Sequence, residues 1–410
     1  MPEFLELLPP EEALQRLLSL LPVQVKTEDV KTELSLGRVT AQPVVAPHPL
    51  PSFNRSTVDG YALRAADTHG ASEALPAYLQ LADEVQMGAA PENTLERGQC
   101  ALIHTGGMMP PGSDAVVMIE YTQLVKPEEV EILHSVAVGE NILKVGEDVS
   151  QDQEVIPSGQ RLRPAEIGGA MALGITELTV AQKPRLGILS TGDEVIPPAE
   201  DIQPGQVRDI NSYTLSALVD QAGGEPVRYG IISDQADLLY STAEKALAEC
   251  DVVVITAGSS ASVRDLTSQV IDRLGKPGVL VHGVNVRPGK PTILGVCDGK
   301  AVIGLPGNPV SALVIAWLFV VPVIEALLGI QHPQPPASVQ ARLTVNLASQ
   351  SGREDWVPVR LIREQEDYLA EPIFGKSNLI FTLTRADGLL CIPPDATGVS
   401  TGEIVRVRLF

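Results

Sequence analysis

DVVVITAGSSASVRD, residues Asp251–Asp265, is the stretch around which the chain is organised. Val252, Val253, Val254, Ile255 and Thr256 form an unbroken apolar or β-branched run, which predicts a buried strand. Gly258, Ser259, Ser260 and Ser262 then break the run before a helical pattern begins near Arg264. A strand that enters a small hydroxyl-rich loop and then a helix leaves backbone N–H groups unpaired. Those donors and the positive helix end suit a phosphate or another oxyanion. A plain strand-to-helix turn has the same pattern, so the reading depends on what surrounds it.

Working outward, residues 183–330 alternate strand and helix. Arg185–Ser190, Pro226–Ile232, Gly278–Val286 and Ala301–Leu305 read as further strands. Ser212–Gln221, Ala236–Glu249, Leu266–Leu274 and the segment after Asn308 read as helices. This predicts an α/β domain of doubly wound type. Val310–Ile330 imitates a membrane span, but its apolar core runs only from Ala312 to Val321 before Pro322 and Glu325. That is short of the ~20 residues a span needs, so a buried core helix is expected and no membrane contact.

The flanks differ in character. Residues 1–44 open on Pro9-Pro10-Glu11-Glu12, a helix start, followed by Leu14, Leu17, Leu18 and Leu21 at helical spacing. Residues 45–140 carry short β-like runs (Gln99–His104, Ala115–Glu120, Val130–Val138) between Gly/Pro turns, which predicts a small β-rich domain. Helical character returns within 141–182, so that segment is expected to rejoin 1–44 with the β-rich domain inserted. Residues 331–410 alternate strictly at Val339, Ala341 and Leu343 and at Val405, Val407 and Leu409, as in a small β barrel.

The 410 residues carry a net charge of −21, which argues against nucleic acid or an anionic membrane as the main partner. An anionic small molecule would need a local basic pocket. Cys100, Cys250, Cys297 and Cys391 lie far apart, and the six histidines lack metal-ligand spacing, so no zinc site is expected. Scattered cysteines fit a reducing cytoplasm, and the N-terminus shows no secretory pattern.

Ligands of open α/β sheets lie outside the carboxyl ends of the strands. Those ends carry Ser190–Glu194 (STGDE, with Thr191, Gly192 and Asp193), Ser233-Asp234, Gly258–Asp265, Arg287–Pro291 (RPGKP) and Leu305–Pro309 (LPGNP). Were Glu194, Asp234 and Asp265 to converge at about 4 Å, each ionised pair would repel by roughly 4 kcal/mol at an effective dielectric of about 20. Such a cluster needs protonation or a cation, and Mg2+ is the cation suited to oxygen ligands beside phosphate. Arg287 and Lys290 would hold the anionic end of the substrate. Gly375-Lys376-Ser377 is half a phosphate-binding loop, with Ala370 where its first glycine should be, and Gly258–Ser262 ends in Ser where a nucleophile elbow needs Gly.

These residues match a known family. PLPSFNRSTVDGYA (49–62), IHTGGMMPPGSDAVV (103–117), GEDVS (146–150), STGDEV, RPGKPT and LPGNPVSA (305–312) stand in the order found in the molybdopterin molybdenumtransferases, the MoeA family, which includes the E domain of gephyrin. The resemblance implies a discontinuous elongated domain (1–44 plus 141–182), an inserted β-rich domain (45–140), a MogA-like three-layer α/β domain (183–330) and a C-terminal β barrel (331–410). It implies a homodimer, insertion of molybdate into adenylylated molybdopterin with release of AMP, and transient contact with the adenylyltransferase and with molybdoenzymes. By motif position Asp59, Thr105, Asp148, Glu194, Asp234, Asp265, Arg287, Lys290, Pro306 and Pro309 match functional residues, with Arg353 and Ser377 in the barrel. Many relatives carry GGVSxGxxD where this chain has the shorter GSSASVRD, and a lysine where it has Gly283. The competing readings are adenylylation of molybdopterin by the MogA-like domain and a non-enzymatic scaffold of the gephyrin kind.

Overall fold

The computed structural model describes residues 7–257, 261–331 and 335–410, the side chains of 261–265 excepted. The chain divides into two compact units: Met1–Ala41, Gly159–Arg163 and Glu177–Phe410 form one, Gln42–Ser158 and Pro164–Thr176 the other.

The first unit is built on a six-stranded sheet. Its strands are β1 (Arg185–Thr191), β2 (Glu225–Ile232), β3 (Val252–Ala257), β4 (Pro277–His282), β5 (Ile293–Cys297) and β6 (Lys300–Pro306), in the order β2-β1-β3-β6-β5-β4. All pairings among β2, β1, β3 and β6 are parallel; β5 runs antiparallel to both neighbours. The strand quoted at the outset, β3, is thus central and wholly buried. The sequence reading misses β5 because Gly295 interrupts its apolar run. That glycine is needed, since a Cβ there would lie 2.6 Å from Ile271. With β5 alone reversed, β1, β2, β3, β4 and β6 all end at one edge, and the β4–β5 connection crosses that edge too.

Alternation along the strands makes three layers. Ile188, Val254 and Ile303 face one core with Phe319; Leu189, Ile255 and Val302 face the other with Leu239 and Ile271. Helices α1 (Asn211–Ala222), α2 (Ala236–Glu249) and α3 (Ala261–Leu274) connect the strands. Ala13, Leu17 and Leu21 from the N-terminal helix Pro10–Leu18 and its exit join the first core, so that apolar stripe packs within its own unit.

A continuous helix follows β6: an α segment, α4 (Pro309–Ile315), a wider π turn at Ala316–Val320, and a second α segment, α5 (Val321–Leu327). The π turn falls just before Pro322, whose ring and missing N–H disfavour regular α geometry. It is the one described helix long and apolar enough to cross a membrane. Ile315, Ala316, Phe319 and Val323 are fully buried, as expected of a core helix.

The chain then closes a five-stranded barrel from Ser338–Leu343, Glu354–Glu364, Asp367–Pro372, Gly388–Ile392 and Ile404–Leu409. Ala341 pairs with Val405 inside it, with Leu343, Val359 and Val407 filling the same core.

The second unit carries its own six-stranded sheet, in which Gly60–Leu63 lies between Gln99–Ile103 and Ala115–Met118. Tyr61, Leu63, Cys100 and Val117 fill one core and Ala62, Ala101, Ile103 and Val116 another. Gly60, which reads as a turn residue in sequence, is a strand residue in close approach. A Cβ there would lie 1.9 Å from the Val117 carbonyl oxygen.

Candidate functional site

A cavity of about 960 Å3 opens at the edge where the parallel strands end, between that edge and the barrel. The sequence folds this way because Arg287–Pro291 connects β4 towards β5 across the edge, and Val286–Arg287 pairs in parallel with Glu354–Asp355 of the barrel. Gly289 is required in that connection: its φ is +116°, and a Cβ would lie 2.3 Å from Ile315. Thr292 fastens the turn by donating its hydroxyl to the Gly289 carbonyl at 2.6 Å.

Arg287, Lys290, Pro306, Arg353 and Ser377 all line this cavity, with Asn308 and Val310 on either side of Pro309. Lys376 adds a fourth cation, and among the described residues Asp355 is the one carboxylate in the lining. Four described cations against one described anion make a positive basin in a chain of net charge −21. Neither Lys290 nor Lys376 forms an ion pair among the described residues, so their ammonium groups are available to an anion. Asp355 is buried and holds Arg353 by two bonds: Nε donates at 2.7 Å and Nη2 at 3.1 Å, while Arg287 Nη1 lies 3.8 Å away. Asn308 donates to the Ser377 hydroxyl at 3.0 Å, joining the LPGNP turn to the barrel. Phe374, an exposed residue, and Trp356 also line the wall.

Thr191–Glu194 and Asp234 do not line this cavity; they stand where β1 and β2 end. Asp193 accepts a hydrogen bond from the Asp234 N–H at 3.2 Å. Partial burial, then the charges of Asp193 and Glu194, push the Asp234 carboxyl above the usual carboxylate range. Asp234 Oδ1 and Thr191 Oγ1 are shielded from water and have no hydrogen-bond partner among the described residues. Beneath them Ser190 donates to the buried Asp209 at 3.0 Å and lies 2.9 Å from the Ser212 hydroxyl. Among the described residues no three His, Cys, Asp or Glu side chains converge as a metal site. The expected triad of Glu194, Asp234 and Asp265 is therefore not assembled from described residues: Ser262 and Asp265 lie in α3 with their side chains outside them, as do Gly258, Ser259 and Ser260 altogether.

In the second unit Asp59 and Thr105 meet. The Thr105 N–H and hydroxyl donate to Asp59 Oδ1 at 2.7 and 3.2 Å, and the N–H holds this exposed carboxyl below the usual carboxylate range. Asp148 stands apart from that pair, lining a separate cavity of about 610 Å3 with Arg55 and Glu147. Burial pushes the thiols of Cys100, Cys297 and Cys391 up to about 12, so they are protonated and do not act as nucleophiles.

Comparison with known proteins matches this chain over most of its length. Residues 8–174 match the MoeA N-terminal region (domain I and II), 187–326 a "Probable molybdopterin binding domain" and 340–410 the MoeA C-terminal region (domain IV). The molybdopterin molybdenumtransferase of Nostoc sp. is 34% identical over 389 residues, which is 94% of this chain and 89% of that protein. The chain belongs to the MoeA family. The molybdopterin molybdenumtransferase of Bacillus subtilis is 31% identical over 98% of this chain and 94% of its own length. Two crystal structures of a molybdopterin biosynthesis MoeA protein from Pyrococcus horikoshii superpose with TM-scores of 0.82 and 0.87. They share 37% and 33% identity, covering 98% and 99% of this chain and 99% and 100% of theirs.

Three residues of this cavity escape sequence reasoning. Lys376 stands in a half-motif that fails as a phosphate loop, and Phe374 carries no spacing signal. Asp355 had one usable clue: it lies two residues from Arg353 at a strand start, a spacing that puts both on one face.

Proposed function

We propose that this protein inserts molybdate into adenylylated molybdopterin and releases AMP as the metal enters the dithiolene. The observation that carries this is the basin of Arg287, Lys290, Arg353 and Lys376 at the sheet edge, with one opposing carboxylate among the described residues. Two ammonium groups that are unpaired among the described residues and two guanidiniums suit a tetrahedral oxyanion beside a phosphorylated substrate. Phe374 and Trp356 offer planar apolar faces to a pterin ring. Pro306 and Pro309 fix the LPGNP turn, so that the lining is shaped before the anion arrives.

The carboxylates at the β1 and β2 ends fit Mg2+, since Asp234 Oδ1 is shielded without a partner among the described residues and repelled by Asp193 and Glu194. Glu194 and Asp234 would hold the ion, with Asp265, and Mg2+ commonly binds through one or two carboxylates plus substrate phosphate. When bound it would neutralise phosphate charge. Thr191, Gly192, Asp193 and the Gly258–Ser262 loop would line the phosphate path. By motif position Asp59 is assigned a catalytic role, and Thr105 and Asp148 are assigned to substrate binding.

The four-domain partition (1–44 with 141–182, 45–140, 183–330, 331–410) and a cytoplasmic homodimer belong to the same reading. Sedimentation at twice 43.6 kDa supports the dimer and a monomer mass contradicts it. The function itself is tested by incubating purified protein with adenylylated molybdopterin and Mg2+, with and without molybdate. AMP release that requires molybdate is the expected result; release without it favours hydrolysis.

Asp234 gives a readout independent of turnover. Its folded-state pKa is raised, so its contribution to stability is present at acid pH and lost as pH rises through that value. Without metal, Asp234→Asn is therefore expected to melt above wild type at about pH 7, with the gap closing towards about pH 3. Added Mg2+ should raise the wild-type Tm more than that of the variant. Equal responses in the two proteins would remove Asp234 from cation binding.

A further inference from the structure

Arg353 reaches the cavity wall as a half-buried guanidinium, and its inner edge is fully used. Nε and Nη2 both donate to Asp355, whose side chain is 5% exposed. A guanidinium carries five N–H donors in one plane. Two are spent on Asp355, and Arg353 makes no further hydrogen bond among the described residues. Of the three donors that remain, two form the outer Nη1/Nη2 edge, a second fork turned by about 120° from the first in the same plane. Asp355 also lies 3.8 Å from Arg287, in the register that ties the RPGKP turn to the barrel.

We propose that Asp355 is a positioning residue: it clamps Arg353 by its inner edge so that the outer edge receives a tetrahedral oxyanion. This rests on the reading of the cavity as an oxyanion site. The proposal makes a prediction opposite to that of charge alone. Among the described residues Asp355 is the one carboxylate lining the basin, so removing its charge should tighten anion binding if net charge governs affinity. If orientation governs it, removal should weaken binding, because an asparagine amide keeps one acceptor oxygen but sets an NH2 donor against the second N–H, which breaks the two-bond clamp and frees the fork to turn.

Molybdate binding to the full chain, titrated calorimetrically at two salt concentrations, separates these cases. Asp355→Asn is expected to bind molybdate about tenfold more weakly than wild type, the loss of one bidentate charge-assisted contact. Its affinity should also fall more steeply with salt, because the basin has gained positive charge. A merely structural lesion would lower affinity by the same factor whether or not Arg353 is present. In an Arg353→Ala background, Asp355→Asn should cause no further weakening. Binding as tight as wild type by a folded Asp355→Asn protein, or the same loss in both backgrounds, overturns the proposal.

Should Asp355→Asn fail to fold, Arg353→Lys decides the matter. It keeps the charge but has no second edge, so weakening is expected and wild-type affinity overturns the proposal. Absence of molybdate binding by the wild-type chain overturns the reading of the cavity, and the role of Asp355 with it.

Discussion

Lys290→Ala is expected to weaken molybdate binding by roughly tenfold to a hundredfold, since a charge-assisted hydrogen bond contributes about 1.5–3 kcal/mol. The fold should be indifferent. The Lys290 ammonium forms no ion pair among the described residues. Its backbone carbonyl, which accepts from the Val284 N–H at 2.9 Å, is retained by alanine. Removing one of four like charges relieves repulsion within the empty basin, so the Tm should hold or rise slightly. Molybdate-dependent AMP release should fall with the affinity and recover in part at high molybdate. An unchanged Kd would remove Lys290 from the site, and a large fall in Tm would give it a structural role.

The largest loss of stability is expected at a glycine. Gly60→Ala puts a methyl 1.9 Å from the Val117 carbonyl oxygen and 2.8 Å from its carbon. Both belong to the neighbouring strand of a paired sheet, where neither partner can retreat without breaking the ladder. Overpacking against side chains costs about 1–3 kcal/mol, and against backbone the upper end or beyond applies. A Tm lower by about 10 °C follows for a unit of this size. The lesion also shifts Asp59, which precedes Gly60 and holds the Thr105 N–H at 2.7 Å. Thermal melts with and without substrate would show both effects, and a wild-type Tm would mean that the strands do not approach so closely.

Much of this was legible in the sequence, for physical reasons. A strand buried on both faces must be apolar throughout, so Val252–Ala257 announces itself. The barrel does so by its alternation at Ala341, Leu343, Val405 and Val407. The RPGKP and LPGNP turns are marked by Gly and Pro at a predicted sheet edge, and they line one cavity. What stayed hidden depends on long-range pairing. Strand β5 is masked by Gly295, whose meaning is a contact with Ile271. Gly60 signals a turn locally and a close strand approach only once Val117 is beside it. Asp355 and Lys376 are brought to the basin by closure of the barrel, which no local pattern specifies. The acidic residues are legible in part. Glu194 and Asp234 read as a triad with Asp265, whose side chain lies outside the described residues, and among those described both Asp193 and Glu194 act on Asp234.

Molybdenum transfer is most directly tested by counting products in a single reaction. Purified full-length protein is mixed with adenylylated molybdopterin, molybdate and Mg2+, and AMP and the molybdenum-bearing pterin are quantified together by mass spectrometry. The expected result is one AMP released for each molybdenum inserted, with Lys290→Ala lowering both together. AMP release without molybdenum in the pterin, or no turnover by a folded protein that binds both substrates, would contradict it.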